Sequence, residues 1–316
     1  IKASSYAGSS PYSVIASVVL VPASSAPPAE GMRLWLRPDF GVTASGGGLI
    51  SVWADQTGSA SAVQNVTDRQ PQLIPNGLAG KPVVRFDSNG AKSLSLPNFM
   101  QGAAAGDIFA VVKATSNSPT TDKGLWRFGS STAGSFFPQI GGNVAEGFGT
   151  STQRPIGTPA CDLTAFNIYN VTSQSGSWVA RFNGALQYRT GVNVVTFSGG
   201  ATLGSSLGGQ FGSSFFFDGD IAEIIIYDRA LSAAERETVG RYFHGKFSLP
   251  AIPAPTVPAG LSASVVSASQ VGLTWADPNP VGVIYSIERR TGSDPFTKIV
   301  ELENTLSYVD GGLTPN

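Results

Sequence analysis

Only one cysteine, Cys161, occurs in 316 residues, which excludes an internal disulfide and a thiolate metal cluster. Bacterial surface proteins commonly manage without disulfides, so a bacterial source fits. Histidine is equally scarce, His244 being the sole one. Charged residues make up 13% of the chain, about half the roughly 25% usual in soluble domains. Twenty Lys and Arg against 21 Asp and Glu leave a net charge of −1, and no dense basic cluster appears, so nucleic acid is not an expected partner. Membrane insertion is not expected either, because apolar runs such as 221–227 fall far short of the roughly 20 residues that span a bilayer. Ile1 opens no basic, apolar, small-residue leader, which says nothing about export if, as expected, the segment begins within a domain. The Gly-rich stretches lack the strand–helix context of phosphate or dinucleotide fingerprints.

What is present is hydroxyl, glycine and spaced hydrophobics. Glycine numbers 38, and 41% of residues are hydrophobic, too many for a disordered chain. Two Pro/Ala-rich stretches, PASSAPPAE (22–30) and LPAIPAPTVP (249–258), read as extended linkers. The expected organisation is an end piece 1–21, a linker 22–30, a central domain 31–249, a linker 250–260 and a second end piece 261–316. Between turn residues, strands are expected at 33–37, 50–54, 82–86, 108–113, 124–129, 165–171, 178–182, 202–204 and 220–227. One helix is expected. SAAE (232–235) is a capping box, Val239, Tyr242 and Phe243 follow at helical spacing, and Gly245 is the expected stop. The fold class expected is all-β: a two-sheet jelly-roll sandwich with one short C-terminal helix, plus incomplete sandwich pieces at both ends.

MRLWLRPD (32–39), VWADQTG (52–58) and KPVVRFD (81–87) resemble the opening strands of laminin-G-like, concanavalin A-like domains. FDGDIAEIIIYDRALSAAE (217–235) resembles their closing strand and following helix, and is the most specific part of the match. The stretch 130–162 matches poorly. The ends resemble fibronectin type III modules: LSASVV, QVGLTW, YSIERR and SYVDGGL, within 261–313, look like the first five strands, with Trp275 as core tryptophan. IKASSYAGSSPYS (1–13) and the residues after it look like the last two. Joined, 1–21 and 252–316 approach the roughly 100 residues of one module. Either the segment is one period of a tandem array that closes with a neighbouring copy, or its limits fall inside two separate modules.

For chemistry, Asp218, Asp220 and Glu223 on one strand are the only arrangement like a catalytic pair. Glucanases of the concanavalin A-like fold carry a comparable acidic strand, usually opening with Glu. Here Asp stands first and the aromatic cleft sequence is missing, so no catalytic residue is assigned and the chain is expected not to be an enzyme. His244 has no nucleophile motif beside it, and its place at a helix C-terminus suits a structural role. Cys161 reads as a small buried hydrophobe.

The jelly-roll resemblance implies calcium as the one cofactor to consider, at Asp55, Asp87, Asp218 and Asp220, all at strand–turn junctions. Equally, aspartates in turns bond their own backbone. Trp126, Phe136, Phe137 and Phe148, around the least family-like stretch, are the candidate ligand-binding platform for glycans. Asn65 and Asn170 head glycosylation sequons. The expected function is a non-catalytic structural or adhesive repeat of a large secreted or cell-surface protein, with neighbouring modules or copies as partners. The alternatives are a carbohydrate-binding module of a polysaccharide-degrading enzyme and, third, a glycoside hydrolase of this fold.

Overall fold

A computed structural model describes residues 2–5, 8–9, 26–128, 134–197, 205–209, 215–249, 257–276, 284–290, 294–303 and 305–314. The chain divides into two units, one formed by Ala26–Pro250 and the other by Ile1–Ser25 together with Ala251–Asn316. Strands dominate both. Among the described residues the single α-helix is Ala233–Phe247.

The larger unit is a sandwich of two antiparallel sheets, jelly-roll-like in form. One sheet, of eight strands, runs in the order Ala185–Thr190, Ser177–Phe182, Asn167–Gln174, Ala105–Ala114, Gly219–Tyr227, Lys81–Phe86 and Gln72–Leu78, with Met32–Leu36 joining the far half of Gly219–Tyr227. The other, of nine, runs from Arg154–Gly157 through Val144–Glu146, Ser135–Phe136, Gly124–Arg127, Ser205–Leu207, Leu94–Leu96, Ala62–Val63 and Ile50–Trp53 to Val42–Ala44.

Alternation along the strands builds the core between the sheets. Leu34 and Leu36 are fully buried while Arg33 between strand and solvent is exposed, as period-two side chains require. The two central strands, Ala105–Ala114 and Gly219–Tyr227, are buried on both faces. Ile108, Ala110 and Val112 enter the inner core beside Ile221, Ile224 and Ile226. Phe109, by contrast, meets Tyr227 edge-on with ring centroids 6.4 Å apart, outside that core. The helix accounts for the second buried layer: Val239, Phe243 and Phe247 are buried along it.

Ser232 caps this helix, accepting from the Glu235 N–H, while the Glu235 carboxylate accepts from the Ser232 N–H at 2.9 Å. The expected stop at Gly245 is overrun. The helix continues to Phe247, whose ring is buried, and Ser248 takes the left-handed cap at φ 49°. Helix length is thus set by the apolar anchor, since glycine weakens a helix only by about 1 kcal/mol. The expected strand at 202–204 lies outside the described residues, next to Ser205–Leu207.

In the second unit the chain's two ends pair. Lys2–Ser5 lies between Gly8–Ser9 and Ile284–Arg289, with Lys2 opposite Ser286 and Ser4 opposite Ile284, and Thr297–Glu303 completes this sheet. A second sheet orders Ala259–Ser267, Gln270–Ala276 and Ser307–Asp310. Trp275 of this sheet packs with Tyr285 and Ile287 of the first as the unit's buried centre, the first two rings 5.3 Å apart.

Candidate functional site

The closing strand Gly219–Tyr227 and the residue pair just before it carry the acidic residues singled out in the sequence, and pairing decides what each one does. Glu223 is fully buried beneath the helix. It accepts from the Trp35 indole N–H at 2.5 Å and the Tyr242 hydroxyl at 2.8 Å, and forms an ion pair with Lys246 at 2.5 Å. Burial pushes its carboxyl above the usual range, against the pull of Lys246. These bonds clamp helix to sheet and leave no room for a substrate.

Asp220 stands directly opposite Arg85 on one neighbouring strand and Lys113 on the other. Arg85 donates to both carboxylate oxygens, at 2.7 and 2.9 Å, and the Lys113 ammonium lies 3.4 Å away. Such opposite-charge cross-strand pairs hold a register. Asp218, two residues earlier, accepts from the Ser88 N–H at 2.5 Å and the Ser88 hydroxyl at 2.6 Å, and pairs with Lys123 at 2.6 Å. Burial alone would raise the Asp218 carboxyl, but the Lys123 and Ser88 bonds outweigh it and hold the group below its ordinary range. That suits an anion accepting hydrogen bonds, whereas a general acid for glycoside cleavage needs the opposite shift.

Between these strand ends lies a cleft of about 620 Å³, lined by Arg85, Asp87, Asn89, Lys113, Asp218 and Asp220, with Thr115, Thr164, Phe86, Ala114 and Gly219 between them. Asp87, Asn89, Thr115 and Thr164 are exposed. Asp87 accepts from the Asn89 N–H at 2.9 Å, the turn that an aspartate at this position predicts. The Lys113 ammonium also sits over the Phe166 ring, 5.0 Å from its centroid. The cleft therefore joins an exposed carboxylate, an amide, two hydroxyls and two cations at the end of the central strands.

Three of the four aspartates considered for calcium meet here, and Asp55 does not. Asp55 accepts from the N–H groups of Trp35, Thr57, Ser59 and Ala60 at 2.8–3.0 Å, and from the Thr57 hydroxyl. Asp218 and Asp220 face ammonium and guanidinium groups. These donor sets do not fit a calcium ion, which needs six to eight free oxygen ligands. Among the described residues no group of three or more His, Cys, Asp or Glu side chains is arranged to hold a metal.

The aromatic platform expected from the sequence is corrected. Trp126, Phe137 and Phe148 belong to the inner core, and Phe136 is buried against Phe215 with centroids 5.2 Å apart. Trp126 stacks on Tyr169 at 5.7 Å, and Phe148 meets Phe197 edge-on at 5.1 Å. The Gly-rich surroundings that suggested a loop instead let rings approach backbone: a Cβ on Gly149, where φ is +64°, would stand 2.7 Å from Phe197. Cys161 is half-buried, its thiol pushed up to about 11 by burial. Burial also lowers His244. Asn65 is exposed, whereas Asn170 is fully buried.

No family model and no curated protein matches the chain. Among solved structures it is similar to Trypanosoma rangeli sialidase in complex with the inhibitor DANA, at 18% identity over 68% of this chain and 33% of that one, TM-score 0.48. It is also similar to domain 4 of AbnA, a GH43 extracellular arabinanase from Geobacillus stearothermophilus, in complex with arabinotriose. There the identity is 14% over 66% of this chain and 98% of that one, TM-score 0.47. The match thus spans about a third of the sialidase's length. At these values the likeness concerns the β-sandwich fold alone. The solved structures to which the chain is similar are sialidases and a domain of an arabinanase, which runs against the expectation that it is not an enzyme. No helix of the described residues is long and apolar enough to cross a membrane.

Proposed function

We propose that the chain is a carbohydrate-binding segment of a secreted or cell-surface carbohydrate-active protein, with the cleft at the ends of the central strands as its sugar site. The observation that carries this reading is the lining of that cleft: exposed Asp87, Asn89 and Thr115 beside Arg85 and Lys113, in about 620 Å³. That volume lies within the roughly 300–1,000 Å³ usual for small-ligand pockets. Carboxylate, carboxamide and guanidinium groups on rigid strand ends suit vicinal sugar hydroxyls. The central sandwich is read as laminin-G-like on its opening and closing motifs, and the end unit as fibronectin type III-like on its motifs and Trp275. The test is a glycan array followed by calorimetry. Arg85→Ala and Asn89→Ala are each expected to weaken the best binder by about tenfold, the scale of one charged or polar contact. Retention of no glycan, or variants as tight as the wild type, would refute it.

A second reading, an adhesive repeat whose neighbouring copies complete one another, is favoured by the pairing of Lys2–Ser5 with Ile284–Arg289. The same pairing is open to a second copy by strand exchange. Light scattering is expected to show mass rising with concentration, and a mass constant at one chain throughout refutes it.

A further inference from the structure

We infer that Asn89 is a site of spontaneous deamidation, which turns the one carboxamide in the cleft lining into a carboxylate. The effect on a ligand rests on the carbohydrate-binding reading above; the chemistry does not. Asn-Gly occurs at 76–77, 89–90 and 183–184, and the three settings differ. Asn89 is exposed in the turn after Lys81–Phe86. Its N–H donates to Asp87 at 2.9 Å, while its carboxamide and the Gly90 N–H take no hydrogen bond among the described residues. Asn183 is locked instead. Its side-chain oxygen accepts from the Ile168 N–H at 2.8 Å, its side-chain nitrogen donates to Asn167 at 2.7 Å, and its backbone N–H donates to the Ile168 carbonyl at 2.7 Å. Asn76 lies within the strand Gln72–Leu78, with Gly77 packed against Val83.

Water is the only co-reactant. The Gly90 amide nitrogen gives its proton to solvent hydroxide and bonds to Asn89 Cγ. The Cγ–Nδ2 bond breaks, and the nitrogen takes a proton from water and leaves as ammonia. Water then opens the cyclic imide at either carbonyl, giving aspartate or, with an extra methylene in the main chain, isoaspartate. Gly90 has no Cβ to crowd the attacking nitrogen, and the Lys92 ammonium stands 3.4 Å from where one would be. A cation there favours the deprotonated amide. Before the reaction Arg85 and Lys113 balance Asp220 and Asp87, as Lys123 balances Asp218. Deamidation therefore leaves one negative charge in excess and removes the lining's carboxamide donor.

The full chain is aged at mildly alkaline pH and mapped by tryptic mass spectrometry, which separates the Asn89 peptide from those of Asn76 and Asn183. Asn89 is expected to convert at least about tenfold faster than Asn183, whose hydrogen bonds must open first. Gly90→Ala places a methyl against the movable end of Lys92 alone. It is expected to slow conversion about tenfold by crowding the attacking nitrogen, and a melt matching wild type certifies its fold. Aged wild type, separated by ion exchange, is expected to bind the glycan selected on the array about tenfold more weakly than fresh protein, the scale of one lost polar contact. Gly90→Ala aged alongside keeps its affinity. Asn89 intact, converting no faster than Asn183, or indifferent to Gly90→Ala overturns the inference and leaves the carbohydrate reading standing. Aged protein that binds as tightly as fresh overturns the consequence drawn for the cleft. Fresh protein that binds no glycan overturns the carbohydrate reading, and the peptide map still decides the modification.

Discussion

Replacing Asp107 by Asn should remove a specific pH dependence from the stability of the sandwich. Asp107 is fully buried on the outer face of the Ala105–Ala114 strand. It accepts from the Asn170 carboxamide at 2.6 Å, the Thr172 hydroxyl at 3.2 Å and the Leu231 N–H at 3.1 Å. Burial dominates, and the charges of Arg236 and Arg181 offset it only in part, so the carboxyl rises from 3.8 to about 6. The folded state therefore holds this proton more tightly than the unfolded chain. The resulting stabilisation is complete below the unfolded value near 4 and is lost as pH rises through about 6. Two pK units correspond to about 3 kcal/mol. Asp39 and Glu235, both held down at about 2 by ion pairs and hydrogen bonds, lose their stabilisation only as pH falls below the ordinary carboxylate range. His244 opposes the trend near neutrality but is common to both proteins, so the difference between them cancels it.

Urea unfolding followed by tryptophan fluorescence, between pH 4 and pH 8, is a suitable assay, because Trp35, Trp53, Trp126 and Trp178 all report on the sandwich. At pH 4 the variant should be less stable by about 1–3 kcal/mol, its new amide facing N–H donors. From there to pH 7 the gap should close or reverse by about 3 kcal/mol. A gap that stays constant across the range refutes the assignment.

Lys246→Met strands the buried Glu223 carboxylate beneath the helix and should cost about 3–5 kcal/mol in urea unfolding, with Glu223→Gln in the same chain recovering much of the loss. Gly208→Ala should cost about 2–4 kcal/mol, since φ there is +80° and a Cβ would overlap the Phe86 ring. Asp55→Ala removes the acceptor for four backbone N–H groups and should lower the thermal midpoint by an amount equivalent to about 2–4 kcal/mol. EDTA added to the wild type should leave that midpoint where it was.

The sandwich is legible in the sequence where burial falls on one face or both of a long strand. The run IAEIIIY (221–227) and the capping box Ser232–Glu235 announce the closing strand and helix by themselves. Two- and three-residue strands such as Ala62–Val63 and Leu94–Leu96 carry no period to detect. Gln72–Leu78 hides behind Pro75, which is tolerated because the strand lies at a sheet edge. The cleft is half legible. Asp87, Asp218 and Asp220 stand out at strand–turn junctions, but Arg85 and Lys113 gain meaning only once both strands flank Gly219–Tyr227. That order is a long-range fact which no local pattern contains. The aromatic platform misleads for a related reason: glycine beside Trp126 and Phe148 signals a loop, yet also marks where backbone makes space for a ring.

The burial of Asn170 reaches beyond the folded molecule to how it can be made. Its carboxamide nitrogen is committed to Asp107 and to the Ile108 carbonyl, yet the nascent polypeptide presents the Asn-Val-Thr triplet freely. In a host that attaches oligosaccharides during translocation, a glycan there would prevent the strand from ever docking against its neighbour. Production in a cell without that machinery avoids the obstacle altogether.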